Sequence, residues 1–438
     1  MFKNSFRKTL SIPGLIKEVR TRFDKFRDIV PSRGLTLCDC LMSGLAIFGL
    51  KYPSLLQFDH YLDDKITRAN LASLYGIKNA PSDTYLRERL DEVDPVSFRS
   101  IFKHLMHLLQ RGKGLEGFEF FNHHYLLSID GTGYFESTEI HCDQCCEKHH
   151  RNGKTTYYHQ MLSAALVNPD HKEVFVLAPE PILQQDGHTK NDCERNAAKR
   201  LLMDLRREHP HMKLIIIEDG LSSNAPHIRL LKELNLHFIL GAKPGDHEYL
   251  FNWVDNATTG VEKIDLTDER AVTHRFRYMN NVPLNESNSD LKVNFLEYWE
   301  IPTSGKFQHF SWVVDFTITQ DNLMILMRGG RARWKIENET FNTLKNQGYN
   351  FEHNFGHGYK HLTTVFVYLM MLAFLIDQIQ QRCCPLFKEA LQAAKRKLYF
   401  WDKVRRAFFS FLIPDWGTLY KTIIKGVKPI PIAIYDSS

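Results

Sequence analysis

Near residue 118 the hydrophobic pattern switches from a helical to an alternating period, and the order of segments that follows admits few folds. Three strand-like runs come first, "HHYLLSID", "YHQMLSAALVNP" and "KEVFVLAPEPI". A marked helix follows at 191–210, "NDCERNAAKRLLMDLRREHP", opened by Asn191 or Asp192 and stopped by Pro210. The strand "KLIIIED", the short helix "APHIRLLKEL" and the strand "LHFILGAKPGD" complete the set. Consecutive strands imply antiparallel pairing, and strands joined through helices imply parallel pairing. The expectation is an α/β protein whose mixed sheet carries flanking helices, in the order β-β-β-α-β-α-β.

Two of these strands end in the same way, "LLSIDGTG" at 126–133 and "LIIIEDGL" at 214–221. Asp-Gly is a common turn pair, because glycine accepts positive φ and aspartate tolerates it. The alternative is that both aspartates sit at strand ends and share one ion. In a sheet of this order the first and fourth strands are neighbours, so Asp130 and Asp219 would lie side by side. Two adjacent carboxylates repel, which raises one pKa unless a cation is present. Mg²⁺ takes oxygen ligands and keeps several waters, so a few carboxylates suffice. A third acid is expected from a later helix. The segment "GRARWKIENETFNTLKNQGYNFEHNFGHG" at 330–358 supplies Glu337, with Arg333 one turn earlier on the same face. Glu339 is rotated away by about 200°, so Glu337 is the choice.

The rest of the chain divides around this core. Residues 1–117 read as a helical N-terminal, candidate DNA-binding domain, with "LTLCDCLMSGLAIFGL" apolar on most sides and "PSDTYLRERLDEV" opening on capping residues. The stretch 71–90 has the look of a helix-turn-helix, but its turn is long, and an ordinary helical hairpin is the reading taken. Core residues 118–246 are followed by a β-rich insertion at 247–321, where short aromatic strands alternate with Asn, Pro, Ser and Gly. The final core helices occupy 322–385, and 386–438 is a basic C-terminal segment.

Charge follows the same division. The formal net charge is only +5 over 438 residues. Basic residues gather at the two ends, in residues 1–30 and in "KRK" and "KVRR" at 395–406. Such clusters suit a polyanion partner or a solvated helix face equally. No secretory signal is read at the N-terminus, and "VFVYLMMLAFLI" at 365–376 reads as a buried helix too short to span a bilayer. A cytoplasmic location is expected, with no membrane partner, and the eight cysteines fit a reducing compartment.

The combination of "SIDGTGYF", "IIIEDGLSSNAPHI" and "GRARWKIENETFNTLKNQGY" resembles the bacterial insertion-sequence DDE transposases, in the branch with a Tyr-x2-Arg-x3-Glu-x6-Lys signature. The resemblance covers roughly residues 118–380. It implies a ribonuclease-H-like core, whose element order is the one read above, interrupted by a β-strand insertion before the last acidic helix. Carried over, Asp130, Asp219 and Glu337 match the catalytic, metal-holding triad, and Arg333 matches the signature arginine. Gly330 stands at the signature tyrosine position and Leu344 at the signature lysine position, with Lys345 next to it. Arg333, Lys345, Arg331 and Lys335 are the candidate DNA contacts. The implied reaction is cleavage of the element's DNA ends and strand transfer, with two Mg²⁺ ions, Mn²⁺ being the substitute ion. The implied partners are end and target DNA and a second copy of the chain in an end-paired homodimer, acting at a bacterial nucleoid. Two other readings share the same acids: an inactive DNA-binding relic kept as a repressor, and a ribonuclease-H-like nuclease without strand transfer.

Other clusters carry two readings each. "HCDQCCEKHH" offers Cys142, Cys145, Cys146, His149 and His150 at zinc-compatible spacing, but with no second cysteine pair nearby. Trp312 and Trp334 suit base stacking or an ordinary core. His188, Lys190 and Asn191 suit phosphate contact or a helix cap, and His353, His357 and His361 need not face one way across two glycines.

Overall fold

The computed structural model describes residues 7–29, 34–184 and 193–426. The chain forms an α/β protein with a helical N-terminal region, a large mixed sheet and C-terminal helices. It divides into two compact units: one of Met1–Ser97, His107–Gly114 and Leu344–Ser438, the other of Phe98–Met106 and Leu115–Thr343.

The N-terminal helices are α1 (Ile12–Phe23), α2 (Leu37–Gly49), α3 (Leu55–Tyr61), α4 (Lys65–Tyr75), α5 (Asp83–Asp91) and α6 (Arg99–Arg111). Helix α4 stops at Gly76, which takes the left-handed conformation that favours glycine (φ 70°). The charges of α5 that a recognition helix would present are used internally. Arg87 pairs with Asp83, and the buried Arg89 reaches Asp28 at 2.6 Å.

The second unit is built on an eleven-stranded sheet. Its strands are β1 (Tyr125–Ser137), β2 (Cys146–His149), β3 (Thr155–Val167), β4 (Phe175–Val176), β5 (Glu180–Ile182), β6 (Leu214–Glu218), β7 (His237–Gly241), β8 (Glu262–Thr267), β9 (Thr273–Pro283), β10 (Lys292–Ile301) and β11 (Gln308–Val314). The order across the main path is β2-β3-β1-β6-β7-β11-β10-β9-β8, with β4 and β5 added to β3. β1 runs antiparallel to β3 and parallel to β6, and β6 is parallel to β7. The helices α7 (Glu194–Glu208) and α8 (Ala225–Glu233) supply the crossovers that parallel neighbours require, and α9 (Glu248–Asn256) follows β7. β6 is buried at every position, as its unbroken "LIIIE" run demands of a central parallel strand. The segment expected as a β-rich insertion forms β8–β11, and β11 pairs with β7, so these strands extend the same sheet. Helix α10 (Leu323–Arg331) and a π-helical turn (Ile336–Phe341) close this unit's sequence.

The chain then returns to the first unit through α11 (Asn342–Asn346), α12 (Leu362–Cys383), α13 (Pro385–Ala394), α14 (Lys397–Ser410) and α15 (Trp416–Lys425). α12 runs well past the apolar stretch read in the sequence. At 22 residues it has the length and composition of a membrane span, yet its apolar window is entirely buried in the protein. Asp91 caps it by accepting four backbone N–H groups, from Tyr359, Lys360, His361 and Leu362, at 2.9–3.0 Å. Those orphan donors at a helix start would otherwise be buried without partners.

One charge in this unit is wholly enclosed. Lys51 donates from Nζ to Asp377 Oδ2 at 2.7 Å and to the carbonyls of Phe48 and Gly49 at 3.0 and 3.4 Å. The faces of Tyr349 and Trp401 lie 3.6 and 4.2 Å from it. Tyr349 also donates its hydroxyl to Asp377. Burial lowers the Lys51 pKa to about 8, against the pull of Asp377, and burial raises that of Asp377. All three ammonium donors are satisfied, so the pair is tolerated in the core. Lys51→Met should cost about 3–5 kcal/mol in denaturant unfolding, because Asp377 is left buried and unpaired. The double variant Lys51→Met with Asp377→Leu should recover most of that loss.

Candidate carboxylate site

The parallel register of β1 and β6 pairs Ser128 with Ile217, and two residues further on stand Asp130 and Asp219. The strands end differently. β1 runs on through Asp130 to Ser137, so Asp130 lies within a strand rather than at its end. Asp219 follows the last residue of β6 and caps a short 3₁₀ turn, accepting from Leu221 N at 3.0 Å. Neither glycine of the two Asp-Gly pairs has positive φ, so neither pair is a left-handed turn. Gly131 is instead a matter of space: a Cβ there would sit 2.3 Å from Glu194 Oε1.

The third acid arrives on the π-helical turn. Its docking is specified by two bonds to β1. The buried Ser128 hydroxyl donates to Arg333 O at 3.0 Å, and Arg333 Nη1 reaches Asp130 Oδ2 at 3.2 Å. The expected regular spacing of Arg333 and Glu337 is widened by the π turn that begins at Ile336, a distortion that recurs at functional sites. Glu337 itself is exposed. Burial raises the pKa of Asp130; Arg333 and the Gly131 N–H oppose the rise, and the charges of Asp219 and Glu337 add to it. The three acids expected from the sequence therefore share one field.

A fourth carboxylate joins them. Glu194, the first residue of α7, is pushed up by burial and then by Asp130, Asp219 and Glu218. Asp130, Glu194 and Asp219 line a cleft of about 710 Å³, together with Gln160 and the cations Arg195 and Lys199. Sequence reasoning missed Glu194 because a first-turn glutamate reads as ordinary helix dressing. Its signal was the glycine at 131, which makes room for it. Glu218, beside Asp219, is engaged elsewhere: buried, it bonds His227 Nε2 at 2.6 Å, and its charge and that contact outweigh burial and raise the His227 pKa.

The other expected residues are placed as follows. The Arg333 guanidinium lies 4.3 Å from the ring of Trp334, which is 47% exposed. Trp312 is buried, and its indole covers Gly330, where a Cβ would be 2.4 Å from Nε1. That contact leaves no room for a side chain at position 330. Arg331 pairs with Glu300 and donates to Gln308 at 3.1 Å. Lys335 donates to His171 O at 2.8 Å. In the other unit Leu344 is a core residue, Lys345 pairs with Glu352 at 2.7 Å, and His357 is buried against Thr363. His188, Lys190 and Asn191 lie outside the described residues.

Asp130, Glu194 and Asp219 offer carboxylate oxygens to the cleft, beside the cations Arg195 and Lys199. No protein-family model matches the chain, and a search of curated proteins finds no relative for it.

The electrostatics predict a linked pH and ion response. Asp130 binds its proton more readily in the folded state than at its ordinary value of 3.8. Its contribution to stability is therefore fully present below that value and is lost as pH rises through the folded-state pKa. Without divalent ions, Asp130→Asn should gain on wild type in thermal unfolding as pH rises from 4 towards 7. Saturating Mg²⁺ should reverse the order, stabilising wild type by about 2.7 kcal/mol at a hundredfold excess over Kd and the variant much less.

Proposed function

We propose that this chain is a DDE-type DNA transposase with a ribonuclease-H-like core, carrying out metal-dependent phosphoryl transfer at DNA ends. The observation that carries the reading is the placement of Asp130 and Asp219 on adjacent parallel strands, both lining one cleft, with Arg333 paired to Asp130 and the charge of Glu337 felt there. The antiparallel β3–β1 pair followed by the parallel β1–β6–β7 set supports the core assignment. The sequence motifs support the class. The meeting of Asp130 and Asp219 in one cleft weighs against an inactive repressor relic.

In this mechanism Asp130, Asp219 and Glu337 would hold two Mg²⁺ ions through carboxylate oxygens, with Glu194 as a further acid beside Asp130 and Asp219. Bound Mg²⁺ supplies charge neutralisation at the phosphate and acidifies the attacking water or 3′-hydroxyl. Arg333 presents a planar, permanently charged guanidinium beside Asp130, suited to gripping a DNA phosphate. The exposed face of Trp334 beside it offers a base a stacking surface. Hydrolysis at an element end leaves a 3′-hydroxyl, which then attacks target DNA, so no side-chain nucleophile is needed. The partners are end and target DNA, with two copies of the chain pairing two ends, in the cytoplasm of a bacterium.

Cleavage of a fragment carrying the element's own ends tests this. Asp130→Asn, Asp219→Asn and Glu337→Gln should each bind the ends yet lose Mg²⁺-dependent cleavage by ~10³-fold or more, the several kcal/mol that metal catalysis supplies. A variant that cuts at the wild-type rate removes its residue from the set. Wild type that binds but never cuts, with Mg²⁺ or Mn²⁺, returns the repressor reading, and cutting without joining returns the nuclease.

A further inference from the structure

The loop between β1 and β3 contains the cysteine-histidine run, and its fold selects a donor set different from the one the spacing suggested. Cys142 and Cys145 form a tight turn in which Cys145 N donates to Cys142 O at 3.1 Å and Cys142 N approaches Cys145 Sγ at 3.5 Å. The third group comes from across the hairpin. β2 pairs Cys146 with Tyr158, and the next residue of β3, His159, turns its Nε2 to both sulfurs. Nε2 lies 3.5 Å from Cys142 Sγ and 3.3 Å from Cys145 Sγ, and the two sulfurs are 3.9 Å apart.

These lengths are the edges of a tetrahedral metal site. With Zn–S near 2.3 Å and Zn–N near 2.05 Å, tetrahedral angles put two sulfurs about 3.8 Å apart and sulfur and nitrogen about 3.6 Å apart. A disulfide needs its sulfurs about 2.05 Å apart. Cys145 and His159 are each 1% exposed, so the donors face inward. The imidazole is held by Tyr134, stacked at 5.8 Å, and by Phe135 at 5.9 Å. The remaining members of the run are occupied elsewhere. Cys146 donates to Ile182 O, His149 and His150 bond Thr155 and Thr156, and His141 stacks on Tyr157.

We propose that Cys142, Cys145 and His159 bind a structural zinc ion, at a site separate from the carboxylate cleft. The ion fastens the 138–154 excursion to β3, and β2 is the edge strand of the sheet. At that edge a metal clip replaces the apolar core that a short two-stranded ribbon lacks. β3 also carries Gln160 in the cleft and Ser163 opposite Asp130, so the clip steadies the strand beside the acids.

Elemental analysis of the full-length protein, purified reduced and without added metal, should find a single zinc per chain. Exchange with Co²⁺ should give the near-ultraviolet charge-transfer band of sulfur-bound cobalt. Cys145→Ser and His159→Ala should lose the metal, while Cys146→Ser and Asp130→Asn should retain it. The proposal is overturned if reduced wild type neither carries zinc nor develops that band on Co²⁺ titration. It is equally overturned if Cys146→Ser abolishes binding while Cys145→Ser does not. Because the Co²⁺ titration uses wild type, a variant that fails to fold does not decide the outcome.

Discussion

The cleft depends on the parallel hydrogen-bond register between β1 and β6. With Ser128 opposite Ile217, the two strands bring Asp130 and Asp219 to the same level from remote parts of the sequence. A slip by one residue would turn every side chain of β6 to the other face. β6 carries an unbroken apolar run buried at every position, and the α7 and α8 crossovers supply the connections that its parallel pairing requires. The placement of the two acids follows from that register.

Holding like charges together has a cost that the local structure offsets only in part. Asp130 gains an N–H from Gly131 and the guanidinium of Arg333, yet burial and the neighbouring acids still raise its pKa. Glu194 is raised for the same reasons. A polar cluster left so is a poor stabiliser of the fold. Its arrangement makes sense as a receptor for a cation, and the π turn that carries Glu337 is a second local departure tolerated at the same place. The contrast with Lys51 is instructive. There a charge is buried far more completely, but every donor is met and no ligand is called for.

Much of this was legible in the residues. The alternation of strand and helix patterns from 118 to 246 and the helices before residue 115 could be read from period, and spacing pointed to Asp130, Asp219 and Glu337 as candidates. What could not be read were contacts made across the sheet. Gly131 looked like a turn residue and is a space for Glu194; Gly330 looked like a departure from a motif and is a space for Trp312. β2 was missed because four residues with polar ends carry too little periodicity to be seen. The strands of 247–321 read as an insertion, because nothing local says that β11 will pair with β7.

The cysteine run marks the boundary most clearly. Spacing alone named Cys142, Cys145, Cys146, His149 and His150, since in a linear chain proximity is the only measure available. The hairpin register discarded three of those and brought in His159 from the facing strand. What the residues determined by themselves was the kind of chemistry and the elements that carry it, because periodicity and side-chain type are local properties. Which groups meet was decided only by the tertiary structure, because strand pairing converts distant positions into neighbours and leaves no trace of that in either segment alone.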